Sequence, residues 1–560
     1  MFCRAGAVGL AWLVLAPWCL AGLFLDRSVE DWLQQLERAR TIQAKRSVLY
    51  ALGRTGQAGS QALDDLARCV RHERDAAIRE MAADSIGAIL LSFNDPPSTA
   101  WERCGEALLI GAKDRDPRVR RSAVYALGAL RNSRARATLR NALQDDSPEV
   151  RRNAAWSLGQ LPGDVDASTL TALRLSLADP DALVRRDVAQ ALIGVAKSIG
   201  RERLQEMGPP LFEIARKDRN LVVRKAALAA LAALATPAHA AYASQIEGLL
   251  NSRNPELCRA AAFTLAAIGG RAAQRALPIL STALADRDPA IQALAAAALA
   301  SLGLEAAPLV DDLAKTLSHA GDPIVRRNCA IALGRLRADA QAAVPALAKA
   351  LRPRSPSPTQ SPEDFRREEE ARYHVAEALS FIAYPANEPA LTAVREAILS
   401  DSNPNVRLRC IEALFQIRSV ELFEKWEFHK ALRKVLSERS ADSKMVRYSA
   451  ARLLAAVYTN EAPDEVVDVL LQMLVDASIR IFYESTANIE GGTTEAGTGS
   501  TGVSIRTGGS ARFLAAEALG WMTTKLRNNP TVVRALRAAS VDSEKKLAET
   551  ARMVLKKLGE

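Results

Sequence analysis

At 560 residues the chain is too long for one compact core, so it forms either several domains or one elongated array of repeats. Aromatics are only 5% of it, while 30 glycines and 25 prolines together make about a tenth; with alanine and leucine dominant, this describes many short amphipathic helices closed by brief turns and excludes a strand-rich fold. The formal charge of +10 is spread over the whole length, so it gains functional meaning only where cations gather on one face.

The first element is MFCRAGAVGLAWLVLAPWCLAGLFLDR, which carries no charge from Ala5 to Leu25. A soluble helix shows a polar face and this one shows none, so residues 1–27 read as a signal peptide or membrane anchor. Arg4 ahead of it and Cys-Leu-Ala at 19–21 suit a cleaved secretory signal, while 21 uncharged residues are also enough to span a bilayer of about 30 Å. Either way the protein is exported or membrane-anchored, with the bulk on the extracytoplasmic or periplasmic side. Arg38, Arg40, Lys45 and Arg46 oppose that orientation under the positive-inside tendency.

From Ser28 onward the chain repeats itself. DRDPRVRRSAVYALGAL, aligned on Arg120, returns at Arg151 (DDSPEVRRNAAWSLGQL), Arg185, Arg224, Arg326, Arg407 and Arg447. Looser copies anchor at Lys45, Arg79, Arg372 and Arg512, and Cys258 and Gln292 hold the anchor position in two more. The interval is 41 residues from Arg79 to Arg120 and 31 from Arg120 to Arg151. In several copies a residue such as Asp116, Ser147, Asp288, Asp322 or Asn403 supplies an N-cap oxygen and a proline follows at the first helical position, where its missing N–H costs nothing. Val119, Ala123, Ala126, Leu127 and Leu130 then form one apolar stripe at helical spacing. A second amphipathic helix precedes each copy, so the unit is an antiparallel helix pair that closes its core only by stacking on its neighbours. The expected fold is therefore all-α, an α-solenoid of about 13 to 14 pairs, the tail from Pro530 to Gly559 being a degenerate last copy.

The pattern DxDPxVRxxAxxALGxL resembles the HEAT-repeat family, in the variety typified by the bilin (phycobilisome) lyases, over essentially all of 28–560. The resemblance implies a right-handed superhelix with the second helices on its concave side. It also implies a ladder of hydrogen bonds between repeats, made by the anchor arginine and the aspartate six residues before it. Asp114 with Arg120, Asp145 with Arg151, Asp179 with Arg185, Asp218 with Arg224 and Asp401 with Arg407 have that spacing. Cys258 and Gln292 break it, marking a softer joint in the middle of the array.

Two interruptions divide the array. The Pro/Ser-rich stretch at 352–362 forbids helix and reads as an extended loop within the repeats of 28–477. Residues 478–510 form a Gly/Thr-rich insertion, either a mobile loop or a short hairpin built from IRIFYES and GVSIRTGG, before the C-terminal repeats of 511–560.

Enzymatic constellations are not evident. Five histidines fall in separate repeats without HExxH, and neither a nucleophile elbow nor a phosphate-binding loop occurs. The HEAT-like deoxyhypusine hydroxylase holds iron with several His-Glu pairs, whereas here only His72-Glu73 is found. Cys69, Cys104, Cys258, Cys329 and Cys410 are far apart and without CxxC, which reads as buried thiols. The expectation is a protein with no cofactor, no metal and no catalysis of its own.

Binding residues are sought on the side of the second helices facing away from the core. One residue after the anchor stand Arg46, Arg121, Arg152, Arg186, Lys225, Arg259 and Arg327, then Tyr373, Tyr448 and Phe513. Five residues after it stand Tyr50, Tyr125, Trp156 and Phe263 in the first half, and Glu377, Glu412 and Glu517 in the second. With packed helices 8–10 Å apart, Arg121 to Arg259 form a line of cations interleaved with rings, suited to an acidic or aromatic segment of a partner protein. The alternative is solvated charge with rings padding neighbouring helices. The reading is a protein-protein interaction scaffold or adaptor that binds segments along the concave face, and membrane through the leader if it is uncleaved. Two other readings are a nucleic-acid-binding solenoid, as in HEAT-like alkylpurine DNA glycosylases, and a bilin-lyase-like chromophore-handling protein. The leader and the C-terminal glutamates argue against nucleic acid, and fold likeness does not transfer lyase activity.

Overall fold

A computed structural model of the chain describes residues 27–235, 240–353, 361–382, 387–415, 417, 419–439, 443–476 and 510–560. The leader, most of the loop at 352–362 and the insertion at 478–510 apart from Ser510 lie outside the described residues. Those described are helical, with no strand among them. They fall into two compact units, Met1–Ile268 and Gly269–Glu560, each containing seven helix pairs. The boundary lies between the repeats anchored at Cys258 and Gln292, where no linker composition marks it.

The second helix of each pair carries the anchor. In the first unit these are α1 (Ile42–Gly53), α2 (Ala76–Leu91), α3 (Pro117–Ala129), α4 (Pro148–Gln160), α5 (Ala182–Ile199), α6 (Leu221–Ala233) and α7 (Pro255–Ile268). In the second they are α8 (Pro289–Leu302), α9 (Pro323–Leu336), α10 (Pro362–Phe381), α11 (Pro404–Leu414), α12 (Lys444–Tyr458), α13 (Ala511–Leu519) and α14 (Lys545–Leu558). Within each unit every one packs on the next. The stripe is buried as its period predicts: Val119, Ala123, Ala126, Leu127 and Leu130 all lie in the core.

Helix starts follow the cap chemistry. Asp116, Asp288, Asp322 and Asn403 each accept an N–H of the first turn, with proline at the first helical position. Ser147 departs: it sits at the N-cap, but its hydroxyl donates to Glu149 Oε2 at 2.7 Å, because that carboxylate is a stronger acceptor close at hand. Glycines late in the motif set how closely second helices approach. A Cβ added at Gly194 would lie 2.1 Å from the carbonyl oxygen of Gly159.

The ladder exists, with a register that differs from the expected pairs. Five anchor arginines give a bidentate fork to the aspartate of the following repeat: Arg79 to Asp114 (2.7 and 2.9 Å), Arg120 to Asp145 (2.7 and 2.8 Å), Arg151 to Asp179 (2.8 and 3.0 Å), Arg185 to Asp218 (2.8 and 3.1 Å) and Arg372 to Asp401 (2.8 and 3.1 Å). Contact with the aspartate six residues back is to its backbone carbonyl, as from Arg120 to Asp114 O at 2.9 Å, Arg151 to Asp145 O at 2.7 Å and Arg185 to Asp179 O at 2.7 Å. The reason is local: each aspartate also accepts the N–H two residues on, as Asp114 does from Asp116 and Asp145 from Ser147, which fixes its carboxylate to face the preceding repeat.

The rungs lapse where the motif does. Arg224 has no aspartate ahead of it, since Ser252 stands six before Cys258, and it turns to Ala215 O at 2.8 Å. Cys258 Sγ and Gln292 Nε2 reach only their own turns, at Ser252 O and Asp286 O. Arg407 does not pair with Asp401 either; it bonds Glu438 and Ile398 O.

Arg120→Ala strips Asp145 of its fork while leaving it half-buried, and the expected cost is about 2 kcal/mol in urea unfolding, with raised hydrogen exchange in α3 and α4. Acid weakens the same joints. Burial pushes Asp114, Asp145 and Asp218 up, but the arginine and backbone N–H bonds outweigh it and hold all three below the usual carboxylate range. Their contribution is therefore complete above the unfolded value, about 4, and is lost as pH falls from there through the folded values. The urea midpoint should be flat between pH 7 and 5 and drop below about pH 4.

Candidate functional site

In the first unit the cations one residue after the anchor line the row of second helices half-buried, but not as bare charges. Arg121 donates to Glu80 at 2.8 Å, Arg152 and Arg186 share Asp187 at 2.9 and 2.6 Å, and Lys225 meets Glu256 at 2.5 Å. Five cations, Arg121 to Arg259, thus run among five carboxylates, Glu80 and Asp84 of α2, Glu149 of α4, Asp187 of α5 and Glu256 of α7. Arg46 is half-buried at the start of the row.

The rings five residues after the anchor divide into two kinds. Tyr125 and Trp156 stack on each other, centroids 4.7 Å apart, so part of their surface pads α3 against α4. Tyr50 remains 41% exposed, with the Arg54 guanidinium 5.1 Å from its ring, and Trp156 and Phe263 are half-open. On the two helices between Trp156 and Phe263 the same position is held by Gln190 and Ala229, both exposed. The row therefore carries a ring, a primary amide, a methyl group and a second ring, along a cationic border.

The second unit is arranged differently. Arg327 bonds Glu370 at 3.0 Å, and Tyr373 and Phe513 are half-buried. Tyr448 does not face outward as its position predicts: it is 2% exposed, and its hydroxyl donates to Asp476 Oδ2 at 3.1 Å. That acceptor, on the turn after the first helix of the next pair, draws the ring into the interface, and burial pushes the phenol up to about 12. Around Tyr373 lies a polar seam. Arg409 donates to the Tyr373 hydroxyl at 2.8 Å and to Glu412 at 2.7 Å, and its guanidinium lies 5.1 Å from the Tyr373 ring centroid. His374 pairs with Glu377 at 2.9 Å, and Arg452 lies over the Phe415 ring and 3.5 Å from Glu517.

Arg409 and Arg452 were missed by the sequence reading. Arg452 occupies the same fifth position as Glu412 and Glu517 and could have been read there; Arg409, two residues after its anchor, gives no periodic signal. Among the described residues no group of three or more His, Cys, Asp or Glu is placed to share a metal ion. The five described cysteines are free thiols; burial pushes Cys104 and Cys329 up to about 12, so these two are protonated and unreactive near neutrality.

The fold and its repeated rungs define an α-solenoid of stacked helix pairs. A model of HEAT repeats matches residues 105–193 and a model of the PBS lyase HEAT-like repeat matches 325–352, so these stretches of the array are HEAT repeats. No curated protein matches it in sequence. Among solved structures it is similar to the karyopherin Kap121p, bound in one case to the extreme C-terminus of the protein phosphatase Cdc14p and in another to the SUMO protease Ulp1p. Each is 14% identical with a TM-score of 0.57, covering 96% of this chain and 62% of the karyopherin. This chain thus spans about 62% of the karyopherin's length, and the likeness is one of fold. The CpcE–CpcF complex of phycocyanin lyase from Nostoc sp. PCC7120 is 20% identical over 50% of this chain and 96% of that one, with a TM-score of 0.32.

Arg409→Met leaves the Glu412 carboxylate in the seam without its strongest partner, at a cost of about 3 kcal/mol at pH 7. Burial already holds Glu412 above the usual range, so the protonated form is the better tolerated one and the deficit should shrink as pH falls towards 5. Chemical denaturation of both proteins at the two pH values measures it.

Proposed function

We propose that this chain is a non-catalytic scaffold or adaptor that holds segments of partner proteins along its row of second helices. The observation that carries the reading is the series Trp156, Gln190, Ala229 and Phe263 on α4 to α7. The core stripe is closed without these side chains, yet they leave two half-open rings on either side of an exposed amide and an exposed methyl group. Aromatic surface bordered by charge is where binding energy concentrates in protein interfaces. Kap121p, which shares the fold, binds protein segments; that supports a similar use of this solenoid.

The partner segment is acidic and carries apolar side chains. Its carboxylates meet Arg121, Arg152, Arg186, Lys225 and Arg259 in exchange for Glu80, Asp187 and Glu256. Its apolar groups sit over Ala229 and the two rings, and the Gln190 amide, a donor and an acceptor together, serves its backbone. Nucleic acid fits less well, because the basic positions of the first unit give way in the second to Tyr373, Tyr448 and Phe513, with Glu377, Glu412 and Glu517 five residues after the anchor. The apolar run from Ala5 to Leu25 supports an exported or membrane-anchored protein, with the repeats on the extracytoplasmic side.

Co-purification of the full chain from its native host, after mild cross-linking, tests the reading. Tyr50→Ala with Lys225→Glu changes two accessible side chains and should leave the melting temperature unaltered; adding Trp156→Ala should reduce partner capture by about tenfold or more. Undiminished capture by the triple variant would sink the idea.

A further inference from the structure

Residues 525–560 contain nine lysines and arginines (Lys525, Arg527, Arg534, Arg537, Lys545, Lys546, Arg552, Lys556, Lys557) against four carboxylates (Asp542, Glu544, Glu549, Glu560), an excess of five and half the net charge of the chain. The repeats between Arg79 and Asp218 neutralise their arginines with rungs; here most of the charge is left open. Arg527, Arg534 and Arg537 line an open cavity of about 490 Å³ together with Asn528, Asn529, Pro530, Val533 and Glu560. Arg537 pairs with Glu560, whereas Arg527 and Arg534 are exposed and carry no partner among the described residues. Neighbouring like charges raise each other's energy, and an anion in the cavity removes that cost.

The adjoining helix α14 extends the same surface. It buries Leu547, Ala548, Ala551, Val554, Leu555 and Leu558 and turns Lys545, Lys546, Arg552, Lys556 and Lys557 to solvent, none of them ion-paired among the described residues. Two apolar side chains protrude from this basic field: Met553, 52% exposed, and Val541, 84% exposed, on the turn between Pro530–Ala539 and α14. A soluble cap needs the charges and not the apolar tips. Cations that reach headgroup phosphates, together with isolated apolar residues that enter the acyl boundary, suit an anionic bilayer.

We propose that this C-terminal surface is a docking site for phosphate-bearing lipid headgroups of an anionic membrane, with the Arg527/Arg534/Arg537 cavity receiving a headgroup and α14 lying against the bilayer surface. The site is separate from the row that holds the partner protein, and it acts whether or not the leader is retained.

Flotation of the full chain with vesicles of phosphatidylglycerol and phosphatidylcholine, against vesicles of phosphatidylcholine alone, isolates it from the leader, whose insertion does not require anionic lipid. Binding that depends on phosphatidylglycerol should fall by about tenfold or more in Arg527→Glu/Arg534→Glu and in Lys556→Glu/Lys557→Glu, and should weaken with salt. All four positions are exposed, so melting temperatures should be unchanged. Equal anionic-vesicle binding by wild type and both variants overturns the proposal. So does stabilisation by inorganic phosphate that Arg534→Glu abolishes while vesicles leave the protein unbound, which assigns the cavity to a free anion.

Discussion

The guanidinium of an anchor arginine joins two repeats by closing three gaps at once. Its Nη1 satisfies carbonyls of the turn that precedes its own helix, and its Nε and Nη2 grip the carboxylate of the next turn along. That carboxylate in turn orders the start of its own second helix through a backbone N–H. Each rung therefore couples the beginning of one helix to the beginning of the next. Hydrophobic stacking supplies the larger part of the cohesion. It has no direction along the helix axis, however, and the planar fork does.

Where the fork is missing after Arg224, other bonds join the repeats: Lys225 meets Glu256 and the Thr264 hydroxyl donates to Leu228 O. Arg224, Cys258 and Gln292 all bond only to nearby backbone, and the boundary between the compact units lies within their span. In the second unit other acids take over. Glu368 meets Arg326 and Glu438 meets Arg407, so the principle survives a change of residue and of position. The seam of Arg409, Glu412, Arg452 and Glu517 adds a second set of charged links there.

Much of this was legible in the residues because it is periodic. The helix pairs, their starts and their buried stripe follow from Asp-Pro caps and from apolar spacing, which act locally. The partner of each arginine was harder to see: Asp114 lies six residues from Arg120 and Asp145 twenty-five, and the fixed orientation of the turn selects the more distant one. The candidate row was legible as positions and not as chemistry. Its cations share one place after the anchor and so stand out in the sequence, while Glu80, Asp187 and Glu256, which temper them, stand at three different places in their repeats and give no common signal. Tyr448 was misplaced for the same reason, since its acceptor Asp476 belongs to the following pair.

The tempering of that row changes how it grips. A segment arriving at Arg121, Arg152 or Lys225 does not meet vacant charge; it displaces an internal carboxylate and leaves that group to find water. The gain is then a difference between two similar ion pairs, small for each contact, and the exchange can proceed one link at a time in either direction. Such a surface retains a ligand through many modest contacts and lets it go quickly.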